Sequence, residues 1–277
     1  MEWKNIYRGI LIGMCDVVPG ISGGTVAFIL GIYERLINAI SGFFSKDWYK
    51  HLTFLLPLGM GMGIAIISFS HVIEFLLRTY PEPTQFLFLG LVVGVLPLLV
   101  KESNIKETFK ARHYTLLVVS LLLLASMAFL QESTRPIIVA LDMNTAIILF
   151  FAGALASTSM LLPGISGSMV LLILGFYTTA ITAIKDFNFP IIIVIGLGVA
   201  VGFILSSKMI KYILVKYPVM TYAAIIGLVT GSTAIIYNGF AESFLGNVMC
   251  VISFIFGLII VQFIANTNNR LVQKSRA

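Results

Sequence analysis

The tightest constraint on this chain is that it contains itself twice. Residues 9–40 align with 153–184 around one motif, Pro19-Gly20-Ile21-Ser22-Gly23, which recurs as Pro163-Gly164-Ile165-Ser166-Gly167. Each copy runs on through an apolar stretch that ends Ile-Leu-Gly-x-Tyr, at Ile29 to Tyr33 and at Ile173 to Tyr177. The likeness continues at a slightly shorter offset. Gly59 and Gly61 correspond to Gly196 and Gly198, Tyr80-Pro81 to Tyr217-Pro218, and Gly90-Leu91-Val92-x-Gly94 to Gly227-Leu228-Val229-x-Gly231. Self-similarity of this density marks a duplicated structural unit.

The solvent of that unit is set by charge. Only 11% of the 277 residues are charged, where a soluble domain has roughly 25%. Apolar stretches at 52–77, 86–100, 116–130, 191–210, 223–237 and 248–264 approach or reach the roughly 20 residues that cross a bilayer. The expected fold is therefore all-α: a polytopic membrane protein of two inverted repeats, each a re-entrant helical hairpin plus three transmembrane helices. The first repeat covers 1–140, with a hairpin at 9–40 and spans near 52–77, 84–100 and 114–131. The second covers 141–277, with a hairpin at 145–184 and spans near 190–212, 220–237 and 246–265. Together they form one transmembrane domain. Asp16 and Pro19 interrupt the first apolar stretch, so no cleaved signal peptide is expected.

The hairpin reading rests on length. The arm before Pro19-Gly20 has about ten apolar residues, which at 1.5 Å each reach about half of a 30 Å core. It enters to mid-depth and returns, and its turn must be shielded by protein or line a wet cavity. The second copy reads likewise. A hairpin plus three spans crosses an odd number of times, so the second repeat is expected upside down relative to the first. With the N-terminus inside, all of the 18 Lys and Arg fall on the cytoplasmic side except Arg78, Arg135 and Lys185, as the positive-inside rule demands. The net charge of +6 thus belongs to loops beside anionic lipid headgroups, and no nucleic acid partner is expected.

Chemistry concentrates at the hairpin tips. Ser22, Gly23, Gly24 and Thr25 in one copy, and Ser166, Gly167 and Ser168 in the other, open a second half-helix after the turns at Pro19, Gly20, Pro163 and Gly164. Helix N-termini expose unpaired N–H groups and the positive end of a dipole, and glycine lets an anion approach the backbone. Two such tips meeting from opposite faces make a phosphate- or carboxylate-binding site of the kind found in transporters. The plainer reading is that Pro and Gly turn the chain while Ser and Thr cap a helix. Asp16 is the only acid in an arm leading into a hairpin turn and aligns with Met160. It either couples a proton or cation to transport or pairs with nearby donors.

Arg35, His71, Arg78 and Lys208 are candidates to escort a charged headgroup, against the plainer reading of side chains snorkelling at helix ends. Tyr33 and Tyr177 read as interfacial anchors. Cys15 and Cys250 read as small buried hydrophobes. His51, His71 and His113 are scattered, so neither a metal nor any cofactor is expected. The Ser-Gly strings lack the His and acid of a hydrolase elbow, and the chain is not expected to be an enzyme.

The stretch Asp16-Val-Val-Pro-Gly-Ile-Ser-Gly-Gly-Thr25 with its echo Leu162-Pro-Gly-Ile-Ser-Gly-Ser168 resembles a bacterial membrane family, formerly a domain of unknown function, associated with transport of polyprenyl (undecaprenyl) phosphate. The resemblance covers essentially the whole chain. It implies a flippase returning undecaprenyl phosphate from the outer to the cytoplasmic leaflet of the bacterial cytoplasmic membrane, so that the lipid carrier is reused in cell-wall synthesis. The partners it implies are the polyprenyl phosphate lipid and the membrane, with a homodimer left open. Two alternatives stand beside it: a secondary transporter of a small soluble anion, and a membrane-embedded lipid phosphatase.

Overall fold

The computed structural model describes residues 1–16, 22–43, 45–129 and 135–276, with side chains as far as 267. Among the described residues the only regular structure is helical: α1 (Asn5–Asp16), α2 (Gly23–Ile29), α3 (Tyr33–Ser41), α4 (Trp48–Thr79), α5 (Pro81–Ser103), α6 (Ile105–Thr108), α7 (Ala111–Met127), α8 (Met143–Leu161), α9 (Gly167–Leu174), α10 (Tyr177–Lys185), α11 (Phe189–Lys216), α12 (Pro218–Ile236) and α13 (Phe244–Arg276). Six of these, α4, α5, α8, α11, α12 and α13, are long and apolar enough to cross a membrane. Their outer faces are as apolar as their inner ones. Ile67, Phe75, Phe151, Leu205 and Phe263 are all exposed, as a chain solvated by lipid requires. The protein is an all-α polytopic membrane protein.

The repeated motifs mark the same local events in both halves. Tyr80 and Tyr217 each precede a proline, which excludes the α conformation. They take φ −135°, ψ 61° and φ −133°, ψ 56°. Pro81 and Pro218 then open α5 and α12 at the first helical position, where no N–H is needed. Gly31 and Gly175, from the two Ile-Leu-Gly-x-Tyr strings, take φ 63° and 79°, a left-handed turn that ends α2 and α9. Across the second of these turns the chain bends by 107° into α10.

Two lengths depart from expectation. α8 has 19 residues, about 28 Å at 1.5 Å per residue, so the first arm of the second hairpin is long enough to cross rather than stop at mid-depth. The cause is local. Asp142 accepts the Thr145 N–H at 2.8 Å and caps a helix that begins earlier than its counterpart α1, which has 12 residues. Conversely α7, expected near 114–131, runs over 111–127 and is shorter than the other spans.

Packing repeats as well. α1 lies along α4 as α8 lies along α11, within each half. α5 lies along α13 as α12 lies along α7, between the halves, and α5 touches α12 at the centre. Matched glycines allow these close crossings. A Cβ on Gly90 would strike the Phe254 carbonyl of α13, and one on Gly227 the Leu117 carbonyl of α7. In lipid there is little hydrophobic drive between helices, so small residues at the contact supply the association through close packing.

Candidate functional site

The two motifs meet. Ser22 is the N-cap of α2, and its Oγ accepts the Gly24 N–H at 3.2 Å. The same hydroxyl donates to the Leu162 carbonyl of the other half at 3.0 Å. Thr25 Oγ1 accepts the Gly164 N–H at 2.9 Å. Tyr33 donates its O–H to the Leu161 carbonyl at 2.9 Å and stacks on Phe28 with ring centroids 4.1 Å apart. Both carbonyls lie where α8 ends and its last C=O groups have no helical partner, so side chains of the first hairpin complete the turn of the second. Gly164 takes φ 89°, and a Cβ there would lie 2.8 Å from the Leu228 carbonyl. Only glycine fits both demands.

The tips differ in what they leave free. At the first, Gly23 N–H donates to Asp16 Oδ1 at 2.7 Å and Thr25 N–H to the Ser22 carbonyl at 2.9 Å. With Gly24 bonded to Ser22, the start of α2 is satisfied by the chain itself. At the second, Ser166 caps α9 with its backbone only, and its Oγ lies 2.8 Å from Ser168 Oγ. The first bond of α9 is Val170 N–H to the Ser166 carbonyl. Among the described residues no acceptor faces the N–H groups of Gly167, Ser168 and Met169. The two tips therefore differ in what their N–H groups meet, and one substitution explains it. A Cβ on Gly23 would lie 2.8 Å from both Asp16 carboxylate oxygens, and one on the aligned Gly167 would lie 2.6 Å from Met160 Cγ. Asp16 and Met160 occupy the same place, but only Asp16 supplies an anion.

A cavity of about 250 Å³ opens at this junction, lined by Asp16, Gly23, Gly24 and Met160 on one side and by Leu36, Leu55, Met62 and Phe203 on the other. Its polar groups cluster at the tips and its walls are apolar. Among the described residues no group of His, Cys, Asp and Glu could hold a metal ion.

The structure gathers Asp16, Ser22, Gly23, Gly24, Thr25, Pro163, Gly164 and Gly167 around this junction, with Ser166 and Ser168 flanking Gly167 in the chain, while Pro19 and Gly20 lie outside the described residues. The escort candidates are elsewhere. Arg35 pairs with Glu2 and lies 4.7 Å over the Phe54 ring. Arg78 pairs with Glu74 at 2.8 Å, and His71 is exposed on α4. Lys208 lines a second cavity of about 430 Å³ with Ser41, Lys211 and Lys216. Tyr33 is not the interfacial anchor expected of it, being buried at the junction. The signal that could have found it was the recurrence of its motif, which tied a tyrosine to the hairpin and not to a loop.

A sequence model of undecaprenyl phosphate translocase-like proteins matches residues 12–243. The chain is 40% identical over 267 residues to a polyprenyl-phosphate transporter of Staphylococcus aureus (strain NCTC 8325 / PS 47), covering 94% of each. It is 30% identical over 247 residues to a polyprenyl-phosphate transporter of Vibrio cholerae serotype O1, covering 84% of this chain and 77% of that one. No solved structure matches it.

Proposed function

Because the chain belongs to the undecaprenyl phosphate translocase-like family, we propose that it carries a polyprenyl phosphate across the bacterial cytoplasmic membrane, from the outer to the cytoplasmic leaflet, for reuse of the carrier in cell-wall synthesis. The phosphate is held between the hairpin tips, chiefly at the start of α9. The observation that carries this reading is the three N–H groups there that have no partner among the described residues, beside the Ser166 and Ser168 hydroxyls. An anion placed at such a helix end gains backbone hydrogen bonds and the favourable end of the dipole. Ser22, Gly23, Gly24 and Thr25 form the opposing wall, and Asp16 is the coupling carboxylate for a proton or cation. The isoprenoid tail needs no polar path and stays in apolar surroundings beside the cavity.

The topology proposed is two inverted repeats with both termini cytoplasmic. The pairing of α1 with α4 and of α8 with α11 supports the duplication, and the distribution of Lys and Arg supports the orientation. In liposomes loaded with labelled undecaprenyl phosphate, the parent protein exchanges the lipid between leaflets. Ser166→Ala and Ser168→Ala each slow that exchange about tenfold, the loss of one charge-assisted hydrogen bond of about 1.5 kcal/mol. Unchanged exchange in both variants removes the tip site. Exchange absent from the parent, with uptake of a small soluble anion or release of inorganic phosphate in its place, moves the protein to one of the rival classes.

A further inference from the structure

The duplicated packing is broken at the hairpins, where α2 touches α5, α8 and α13 and α9 has no contacts of matching extent among the described residues. α3 lies across α11, but among the described residues its counterpart α10 makes no comparable contact with α4 and packs on α9 and α11 of its own half. Aligned residues show the difference: Ile37 of α3 is 1% exposed and Ile181 of α10 is 48% exposed. The arms follow suit. Every residue of α2 is buried, whereas in α9 only Gly167 is. Ile37 shares one core with Phe203, Ile210 and Leu214 of α11. Phe176 and Ala183, flanking α10's apolar face, belong to a separate small core whose buried residues all lie in the second half.

We propose that the bare face of α10 is the seat of the distal half of α4, and that the protein alternates between the described state, with α3 on α11, and one with α10 on α4. The aligned sequences carry the complementary surfaces. Ile181 and Ile184 match Ile37 and Ile40, and Ile73 and Leu77, which now pack in the main core and would change partners, match Ile210 and Leu214. The charges complete the match. Ser41 and Lys211 line one cavity where α3 ends against α11, and their aligned positions are Lys185 and Glu74. Docking α10 on α4 in the same register brings Lys185 to Glu74. Glu74 is now paired with Arg78 in an exposed bridge, which is weak and readily exchanged, and among the described residues Lys185 has no ion pair. The Lys185–Glu74 pair is the latch of the second state. Under the topology proposed above it closes the outer side, as α3 on α11 closes the cytoplasmic side. The inference rests on that duplicated architecture and not on the identity of the cargo.

Two cysteine pairs test it in a chain carrying Cys15→Ala and Cys250→Ala: Ser41→Cys with Lys211→Cys, and Glu74→Cys with Lys185→Cys. A disulfide needs Cα atoms within about 7 Å. In proteoliposomes under mild oxidant both pairs cross-link, and each cross-link stops exchange of labelled undecaprenyl phosphate until reduced. Failure of either pair to cross-link overturns the proposal. Cross-linking needs no cargo, so a parent protein that exchanges no lipid counts against the proposed substrate and leaves this readout intact. Charge reversal adds a test of the latch. Glu74→Lys slows exchange about tenfold, and Lys185→Glu in the same chain restores it to within about twofold; a double variant as slow as the single one overturns the ion pair.

Discussion

Single residues divide the labour between the two tips. Asp16 fills the start of α2 with a carboxylate, and Met160 leaves the start of α9 without one. Asp16→Asn keeps an oxygen in reach of the Gly23 N–H but removes the charge. Its expected outcome is loss of gradient-driven accumulation of lipid phosphate with downhill exchange retained; accumulation at the parent level would assign Asp16 to holding α1 against α2 alone. Gly164→Ala forces a side chain into the left-handed region, which costs about 1–2 kcal/mol, and onto the Leu228 carbonyl. A lower melting temperature in detergent checks it, and the turn that delivers Ser166 should lose exchange with it.

Helices are positioned by small residues and by their ends. Gly90→Leu drives a side chain into the α13 backbone, and overpacking of this kind costs about 1–3 kcal/mol. Thermal unfolding in detergent should show the loss, with Gly227→Leu behaving alike because it meets α7 in the same way. Gly59 and Gly196 meet nothing, so alanine there should leave the melting temperature unchanged. At the start of α8, outside the apolar stretch, the Asp142 carboxyl is held below the usual carboxylate range, first by the Thr145 hydroxyl and then by its N–H. A lowered folded-state value means that the cap contributes fully above the unfolded value, near 3.9, and is lost only as pH falls through the lower one.

For the molecule as a whole, orientation is the quantity to measure. Single cysteines in intact cells at Lys46, Lys106 and Lys211 should resist an impermeant thiol reagent, and one at Lys185 should react. Labelling of the first group would invert the proposed topology and with it the direction of the two gates. The exchange of partners between halves, α5 with α13 and α12 with α7, also means that these four helices find their main partners only across the halves. Separately expressed halves are expected to be unstable alone and to recover exchange only when produced together.

Composition alone fixed the solvent, and the recurring Pro-Gly-Ile-Ser-Gly, Ile-Leu-Gly-x-Tyr and Tyr-Pro strings fixed where the chain breaks, because glycine and proline act on the backbone locally whatever surrounds them. The polar residues of the tips were legible for the same reason. Which of them remain free was not. That depended on Ser22, Thr25 and Tyr33 reaching across 128 to 140 residues of chain to Leu162, Gly164 and Leu161. The length of α8, set by a cap rather than by apolarity, and the unequal seating of α3 and α10 were equally hidden. Two near-copies of one sequence carry the same local instructions, so only the packing of the halves on each other could make their environments differ.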